Sequence, residues 1–197
     1  MPPEESPQSA ALQPTDEKLM GAFQDGDETA FDVLYRRYWI PLLLYLMRRT
    51  RGNRAIAEEL YNDTFCHVIE KKMTFNPSKG CFRAWLYAIA RNNHLGLYRT
   101  SEIFLRGIAE GLSEKRPAPL VEAMSVDALL GDLPRRHREV MELIVKGEFT
   151  GAQVAEIMAI PVPRVYRLHH EALQQLRKRY GTQQVQSALN IQTSKTE

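Results

Sequence analysis

The stretch that most constrains the fold runs from residue 133 to residue 179, where apolar residues repeat at helical spacing around a short interruption. Gly147 is expected to end a first helix in the left-handed conformation, and Thr150 is a good N-cap for a second. Pro161 predicts a turn, and Pro163 suits the first turn of a final helix. This pattern is typical of a helix-turn-helix, whose second helix enters the DNA major groove. A plain helical hairpin with solvated arginines is the alternative.

The composition is ordinary for a soluble globular protein, with 44% hydrophobic and 25% charged residues. A length of 197 residues suits one large or two small domains. The net charge of +2 is nearly neutral, so any surface that binds nucleic acid must be a local patch. Charge is indeed uneven, since the N-terminal part is acidic and a basic stripe follows at Arg83, Arg91, Arg99 and Arg106.

Cys66 and Cys81 are the two cysteines, and neither belongs to a CxxC motif or lies near a histidine pair. This usage favours a reducing compartment and argues against a disulfide framework or a zinc site. The start of the chain does not resemble a signal peptide, and the longest apolar run, residues 40–47, is too short to span a bilayer. We therefore expect a cytoplasmic protein without a metal or cofactor.

The patterns predict an all-α fold of two small helical domains joined by a flexible linker. Neither a strand pattern nor an internal repeat is evident. The sequence also lacks a phosphate-binding loop and a hydrolase motif, so we do not expect an enzyme. The expected segments are a disordered tail at 1–14, a first domain at 15–106, a linker at 107–125, a second domain at 126–180 and a polar tail at 181–197, partly helical around 185–189.

Three capped helices are predicted in the first part of the chain. Thr15, Asp27 and Asn53 are their candidate N-caps. Pro41 is expected to kink or split the second helix, with residues 42–47 fully buried. The third helix should place these side chains inward: Ile56, Leu60, Phe65, Val68 and Ile69.

The outer face of that third helix carries a compact acidic and amide patch at Glu58, Glu59, Asn62 and Asp63. A solvated charged face is one interpretation, and a binding surface is the other. A metal cluster is disfavoured, because no second helix offers the matching carboxylate and histidine pattern.

Residues 75–80 form a turn by composition, and a helix that combines basic, aromatic and amide side chains follows. Arginines neutralise phosphates, rings offer stacking platforms, and an asparagine can hydrogen-bond an unpaired base, so the pattern suits single-stranded DNA. Phe82, Trp85, Leu86 and Ile89 are expected on the inner face, with Tyr87 among the outer residues. The alternative places both Trp85 and Tyr87 in the core.

In this combination the chain resembles bacterial RNA polymerase sigma factors, in particular the extracytoplasmic-function class of the sigma-70 family. The resemblance covers about residues 19–179. It rests on four blocks in the family order: FDVLYRRYWIPLLLYLMRRTRG, AEELYNDTF, NPSKGCFRAWLYAIARNN and LPRRHREVMELIVKGEFTGAQVAEIM, the last followed by VYR at residues 165–167.

The resemblance implies three sets of binding residues. A docking surface for a coiled coil of the polymerase largest subunit matches Glu59, Asn62 and Asp63. Contacts to the melted minus-ten strand, with a base flipped into a pocket of the loop, match Lys79, Arg83, Arg91, Asn92 and His94. Contacts to the duplex minus-thirty-five element match Thr150, Gln153, Arg164, Tyr166, Arg167 and His170.

The resemblance also implies core RNA polymerase and promoter DNA as partners, with control by an anti-sigma factor. Gly96, Tyr166, Leu168 and Glu171 depart from residues frequent in the family, so the promoter sequence cannot be carried over. A stand-alone helix-turn-helix regulator is the runner-up, although no dimerisation helix is evident. A decoy that binds polymerase without opening promoters is a third possibility.

Overall fold

The computed structural model describes residues 14–105 and 126–189, with side chains described up to residue 97 in the first range. All regular elements in these ranges are helical. Two compact units divide between Tyr98 and Arg99. The predicted linker at 107–125 lies outside the described residues, as do residues 1–13 and 190–197 of the two predicted tails.

The first unit contains three helices, one 3-10 turn and most of a fourth helix. Their bounds are α1 Asp16–Gln24, α2 Glu28–Arg49, α3 Arg54–Lys71, the 3-10 turn Lys72–Thr74 and α4 Phe82–Leu105. The second unit holds α5 Val126–Gly131, α6 Arg135–Val145, α7 Gly151–Met158, α8 Val162–Tyr180 and α9 Thr182–Leu189. Among the described residues, we find no helix with the length and apolar character needed to cross a membrane.

The predicted N-caps of the first unit are confirmed. The Thr15 hydroxyl accepts a hydrogen bond from the Lys18 amide at 3.3 Å, and the Asn53 side chain accepts one from the Ile56 amide at 3.2 Å. The Asp27 carboxylate accepts from the amides of the second and third residues after it. Local sequence therefore fixes where all three helices begin.

Helix α2 runs through Pro41 without a break, so the predicted split is wrong. The predicted full burial of residues 42–47 is wrong in part. Leu42, Tyr45 and Leu46 are buried, whereas 53% of Leu44 is exposed. On α3 the predicted inward position of Ile69 is also wrong, since 47% of it is exposed. Leu44 and Ile69 are exposed because one apolar stripe of a helix suffices to cover a small core.

The second unit packs α8 against α6, α7 and α9. One of its core clusters consists of Leu129, Leu130, Leu133, Met141, Ala172, Leu173, Leu176, Val185 and Leu189. The last two belong to α9, so residues 182–189 of the predicted polar tail form a packed helix. Their spacing of four residues puts both side chains on one face of α9.

Gly147 follows α6, as predicted, but its backbone is not left-handed, which corrects the expected reason for glycine there. Glu148, in the connection between α6 and α7, and Ala159, in the connection between α7 and α8, have positive φ. A Cβ atom at residue 147 would lie 2.6 Å from both the Leu143 carbonyl oxygen and the Phe149 ring. Glycine is required here by close packing.

Candidate functional site

The acidic and amide patch on α3 faces solvent. Glu59, Asn62 and Asp63 are all exposed. The Tyr35 hydroxyl of α2 donates a hydrogen bond to the Asn62 side-chain oxygen at 3.0 Å, which fixes the orientation of that amide. Glu58 is instead paired with Arg54 at 2.7 Å on the same helix. The patch is thus a solvent-facing surface in which Asn62 is held in place.

Aromatic rings of α2 and α3 support this patch from below. The ring centroids of Tyr35 and Phe65 are 4.9 Å apart, and those of Trp39 and Tyr61 are 4.8 Å apart, both pairs near edge-to-face. The Tyr61 hydroxyl donates to the Tyr35 carbonyl oxygen. Burial raises the pKa of Tyr61, so its hydroxyl stays protonated and remains a donor. The polar surface therefore rests on a closely packed aromatic layer.

The loop between the 3-10 turn and α4, residues 75–81, exposes polar side chains between two buried aromatic residues. Phe75 and Phe82 are buried at its two ends with ring centroids 5.8 Å apart. Between them, the Asn76 side-chain oxygen accepts hydrogen bonds from the Ser78 amide at 3.0 Å and hydroxyl at 2.7 Å. The Lys79 amide donates to the Asn76 carbonyl at 3.0 Å. Residues 76–79 are exposed, so the loop is a shaped polar projection.

The residues matched to minus-ten contacts differ in exposure. Lys79 and Asn92 are exposed, and Arg83 and Arg91 are half-buried. The Arg83 guanidinium lies 5.9 Å from the centre of the Tyr87 ring. Trp85 is half-buried, with its ring 5.4 Å from that of Phe75 at the base of the loop. Lys79, Arg83 and Arg91 are thus cations with exposed area, Asn92 is an exposed amide, and part of the Trp85 indole ring is accessible.

Two residues of α4 that were grouped with its outer residues are buried. His94 is 5% exposed, and its Nε2 atom is 3.1 Å from the Arg49 carbonyl oxygen, so a DNA contact from this side chain is disfavoured. Tyr87 is buried, which confirms the alternative that placed it in the core, and burial raises its pKa to about 12. In both cases the unit core accommodates the polar atom, which makes a polar residue a poor marker of the outer face.

The turn between α7 and α8 has the geometry of a helix-turn-helix. Thr150 and Gln153 form a capping box at the start of α7, with hydrogen bonds of 3.3 and 2.9 Å. Ala159 ends α7 in the left-handed conformation, and Pro161 is the N-cap of α8. The predicted cap and turn are confirmed. Thr150 is exposed and Gln153 is half-buried, so both lie at the outer end of α7.

Helix α8 buries one face and exposes the other. Tyr166, Arg167 and His170 lie on the exposed face, and Arg164 is half-buried near the start of the helix. Tyr166 is 61% exposed, yet a Cβ atom at Gly151 would lie 3.1 Å from its ring. The ring therefore rests on the first turn of α7 at a glycine, which the sequence pattern did not reveal.

Polar contacts also restrain the other side chains on this face. The Arg167 Nε atom lies 4.0 Å from Glu171, whose other carboxylate oxygen is 2.9 Å from His137 of α6. The His170 ring nitrogen is 2.9 Å from the amide nitrogen of Gln174. Glu171, noted from sequence only as a departure, thus links the exposed face of α8 to α6.

In the described residues, the fold and these surfaces define a class of protein: an all-helical fold with a helix-turn-helix in the second unit, and with a polar loop and an acidic and amide patch in the first. Family models agree with this division. The model for Sigma-70 region 2 matches residues 34–102, and that for Sigma-70 region 4 matches residues 129–178.

The proteins similar to the chain include two sigma factors of known sequence and one of solved structure. The ECF RNA polymerase sigma factor BldN of Streptomyces coelicolor is 30% identical over 71% of this chain and 54% of its own length. The ECF RNA polymerase sigma factor RpoE of Cereibacter sphaeroides is 28% identical over 81% of this chain and 92% of its own length. The sigma factor RpoE of Bartonella quintana, in complex with the anti-sigma factor NepR, shares the fold with a TM-score of 0.55 at 20% identity, over 70% of this chain and 88% of its own.

The chain spans about half the length of BldN and most of the length of RpoE. The two region models together cover more than half of its residues. The chain belongs to the sigma-70 family of RNA polymerase sigma factors, transcription initiation factors, and to its extracytoplasmic-function class.

Proposed function

We propose that the chain binds bacterial core RNA polymerase with its first unit and directs it to promoters with both units. The observation that carries this proposal is that one chain exposes an acidic and amide face on α3 and a basic and aromatic face on α8. The protein's work is binding and strand stabilisation, with no covalent step of its own.

Core docking is assigned to Glu59, Asn62 and Asp63. Their exposure on one face of α3 makes them accessible to a partner helix pair, and their charge favours a basic partner surface. The hydrogen bond from Tyr35 to Asn62 holds that amide in one orientation before binding, which lowers the conformational entropy lost on association.

Reading of the melted minus-ten strand is assigned to the 75–81 loop and the outer side of α4. Lys79, Arg83 and Arg91 supply cations for phosphates, and Asn92 supplies an amide for a base edge. His94 is left out of this set because it is buried. A base that leaves the stack can be read at the polar projection of the loop.

Reading of the duplex minus-thirty-five element is assigned to the helix-turn-helix. Tyr166, Arg167 and His170 face outward from the first half of α8, where a recognition helix contacts base edges. Arg164, Thr150 and Gln153 lie near the helix starts, where phosphates are usually held. The capping box of Thr150 and Gln153 also orients α7 for this contact.

An anti-sigma factor is the proposed regulator, and the cytoplasm, where polymerase and promoters are, is the proposed location. Support comes from the similar Bartonella quintana sigma factor, which was solved with its anti-sigma factor bound. The surfaces that dock polymerase are the natural targets of such an inhibitor, since covering them prevents assembly.

Transcription with purified components tests the whole proposal. Core RNA polymerase, the full chain and a pool of genomic promoter fragments should give discrete start sites that depend on the chain. Binding to core without transcripts would favour the decoy. Binding to duplex DNA without binding to core would favour the stand-alone regulator, whose helix-turn-helix is shared by both proposals.

Substitutions on each surface then separate the roles. Asn62→Ala with Asp63→Ala should weaken core binding while duplex binding stays unchanged, and Glu70→Ala, exposed on the same helix, is the control. Equal core affinity of the double variant and the original would remove the docking assignment. Arg167→Ala should cost about 1–3 kcal/mol of discrimination at one base pair. A uniform loss over all sequences would make Arg167 a phosphate contact.

A further inference from the structure

Helix α1 contacts both ends of the 75–81 loop, although it lies far from the loop in sequence. At the start of the loop, the Gln24 side-chain amide donates to the carbonyl oxygens of Lys72 at 2.7 Å and Phe75 at 3.0 Å. At its end, the Glu17 carboxylate accepts a hydrogen bond from the Phe82 amide, the first of α4, at 3.1 Å. The donor and acceptor residues of these hydrogen bonds are 48 to 65 residues apart in the sequence.

The two side chains come from one rigid element. Residues 17 and 24 lie two helical turns apart, about 10.5 Å along the axis, and project on nearly the same side of α1. A single helix therefore fixes the distance between the backbone that enters the loop and the backbone that leaves it. Within the loop, hydrogen bonds join Asn76 to residues two and three positions later, and the Phe75 and Phe82 rings meet at its base. The side chains of α1 add hydrogen bonds to the backbone at both ends of the loop.

Contacts in the reverse direction hold α1 in place. The Lys72 ammonium donates to the Phe23 carbonyl oxygen at 3.2 Å and lies 4.6 Å from the centre of the Phe23 ring. A cation beside the last carbonyls of a helix is stabilised by the helix dipole. At the other end of α1, the Asp16 carboxylate accepts hydrogen bonds from Arg37 and Tyr38 of α2. The helix is tied at both ends and cannot slide along the loop.

We propose that Glu17 and Gln24 are positioning residues for the single-stranded DNA site. They set the spacing of the loop ends so that residues 76–79 project in the conformation that selects a base. This inference rests on the proposed reading of the minus-ten strand by that loop. Neither side chain needs to touch DNA, since both act through the backbone of the loop.

A purely structural role for these contacts predicts a different outcome. A carboxylate that caps α4 stabilises the unit whether or not the loop reads DNA. Loss of a cap alone would lower folding stability, core binding and DNA binding together. Loss of positioning would lower base discrimination while core binding and bulk affinity for single strands stay near their original values.

The experiment uses the full chain bound to core RNA polymerase and a single-stranded DNA library randomised over about one protein site, on the order of 4–16 nucleotides. Sequencing of the bound fraction gives enrichment at each position. Gln24→Glu is nearly isosteric but sets a carboxylate against two carbonyl oxygens, and Glu17→Ala removes the acceptor for Phe82. Each should reduce enrichment at the most selective position by about five- to thirty-fold.

Conservative variants provide the rescue. Glu17→Gln keeps a side-chain oxygen that can accept from the Phe82 amide, so its enrichment should stay close to that of the original. Lys18→Ala, exposed on the same helix, should change nothing. Core affinity and thermal unfolding are measured for each variant alongside the enrichment.

The outcomes are distinguishable. If the original holoenzyme enriches no sequence, the proposed reading by the loop fails, and this inference fails with it. If it enriches a sequence that Gln24→Glu and Glu17→Ala enrich equally well, the positioning role is overturned and the reading by the loop stands. Enrichment that falls only in proportion to core affinity or thermal stability would also overturn the positioning role.

Discussion

The two parts of the molecule assigned to DNA are held in shape in opposite ways. The 75–81 loop is held at its ends by Glu17 and Gln24, from 65 and 48 to 51 residues away. The turn of the helix-turn-helix is held by Thr150 and Gln153, three residues apart, and by the left-handed Ala159. One surface depends on tertiary packing and the other on its own local sequence.

This difference determines which substitutions disturb the shape of each surface. A local cap can form as soon as its helix forms, so changes elsewhere in the unit leave it intact. A loop that is held by another helix loses its shape whenever the packing between them loosens. We therefore expect core substitutions in the first unit to disturb the loop more than comparable substitutions in the second unit disturb the turn.

The largest expected effect comes from Phe82→Ala. Phe82 is fully buried, its ring is 5.6 Å from Tyr38 and 5.8 Å from Phe75, and the cavity should cost about 3–5 kcal/mol of the first unit's stability. Hydrogen exchange of the full chain would show faster exchange in α1–α4 with α6–α8 unchanged. Leu168→Ala, buried in the second unit, is the matched change and should do the reverse. Faster exchange in both units after either change would contradict the expectation that each substitution destabilises only its own unit.

A pair of glycines gives the next largest contrast. Gly147→Ala places a Cβ atom 2.6 Å from the Leu143 carbonyl, and the forced shift should destabilise the second unit by about 1–3 kcal/mol. Gly96 lies within α4, and a Cβ atom there would meet nothing within 4 Å beyond its chain neighbours and the backbone of its own helix. For Gly96→Ala, helix propensity should therefore stabilise the first unit by about 0.5–1 kcal/mol. Urea unfolding of both variants measures the change in the free energy of unfolding, which should be negative for Gly147→Ala and positive for Gly96→Ala. A stabilising Gly147→Ala would show that the connection after α6 relaxes easily.

Removal of the local cap comes third. Thr150→Ala should destabilise the second unit by about 1 kcal/mol, because the Gln153 amide loses its acceptor. Ser187→Ala, exposed on α9, is the control. If exchange rises only in α7 and the turn, the turn is held locally, as inferred. A rise across all of α6–α9 would mean that this cap supports the whole unit, and the contrast with the loop would weaken.

Most of the fold was predictable from sequence because its signals are local. Thr15, Asp27, Asn53 and Thr150 each cap a helix where the sequence placed a cap. Helical periodicity gave the element type of α1 to α4 and of α6 to α8, but not the full extent of α9 or the 3-10 turn. It failed at Ile69, because an apolar residue can face solvent when the core is already covered.

The candidate site was predictable only in part, for the opposite reason. Residues on exposed helix faces, such as Asn62 and Arg167, follow from periodicity and family motifs. The hydrogen bonds of Glu17 and Gln24 join residues far apart in the chain, and no local pattern marks them. The burial of His94 was not predicted, because its partner, the Arg49 carbonyl, lies 45 residues away. Tertiary contacts of this kind are absent from any pattern of spacing.

The smallest expected effect is a pH dependence in the second unit. Burial lowers the pKa of His169, and the neighbouring His170 and the more distant Arg177 lower it further. Unfolding restores an ordinary histidine pKa of about 6.5, so the unfolded chain binds more protons below that pH. The contribution of His169 to stability is therefore lost as pH falls from about 6.5 towards the lower pKa of the folded state.

His169→Gln should remove this contribution, so its free energy of unfolding should fall less than that of the original between pH 7.5 and 5.5. Hydrogen exchange of the α8 amides at the two pH values, corrected for the intrinsic rates, provides the measurement, with His67→Gln in the first unit as the control. Equal slopes for His169→Gln and the original would mean that α8 accommodates the charged ring at no cost. A difference confined to α8 and its neighbours would extend the contrast between the units, because His169, His170 and Arg177 all lie in the second unit.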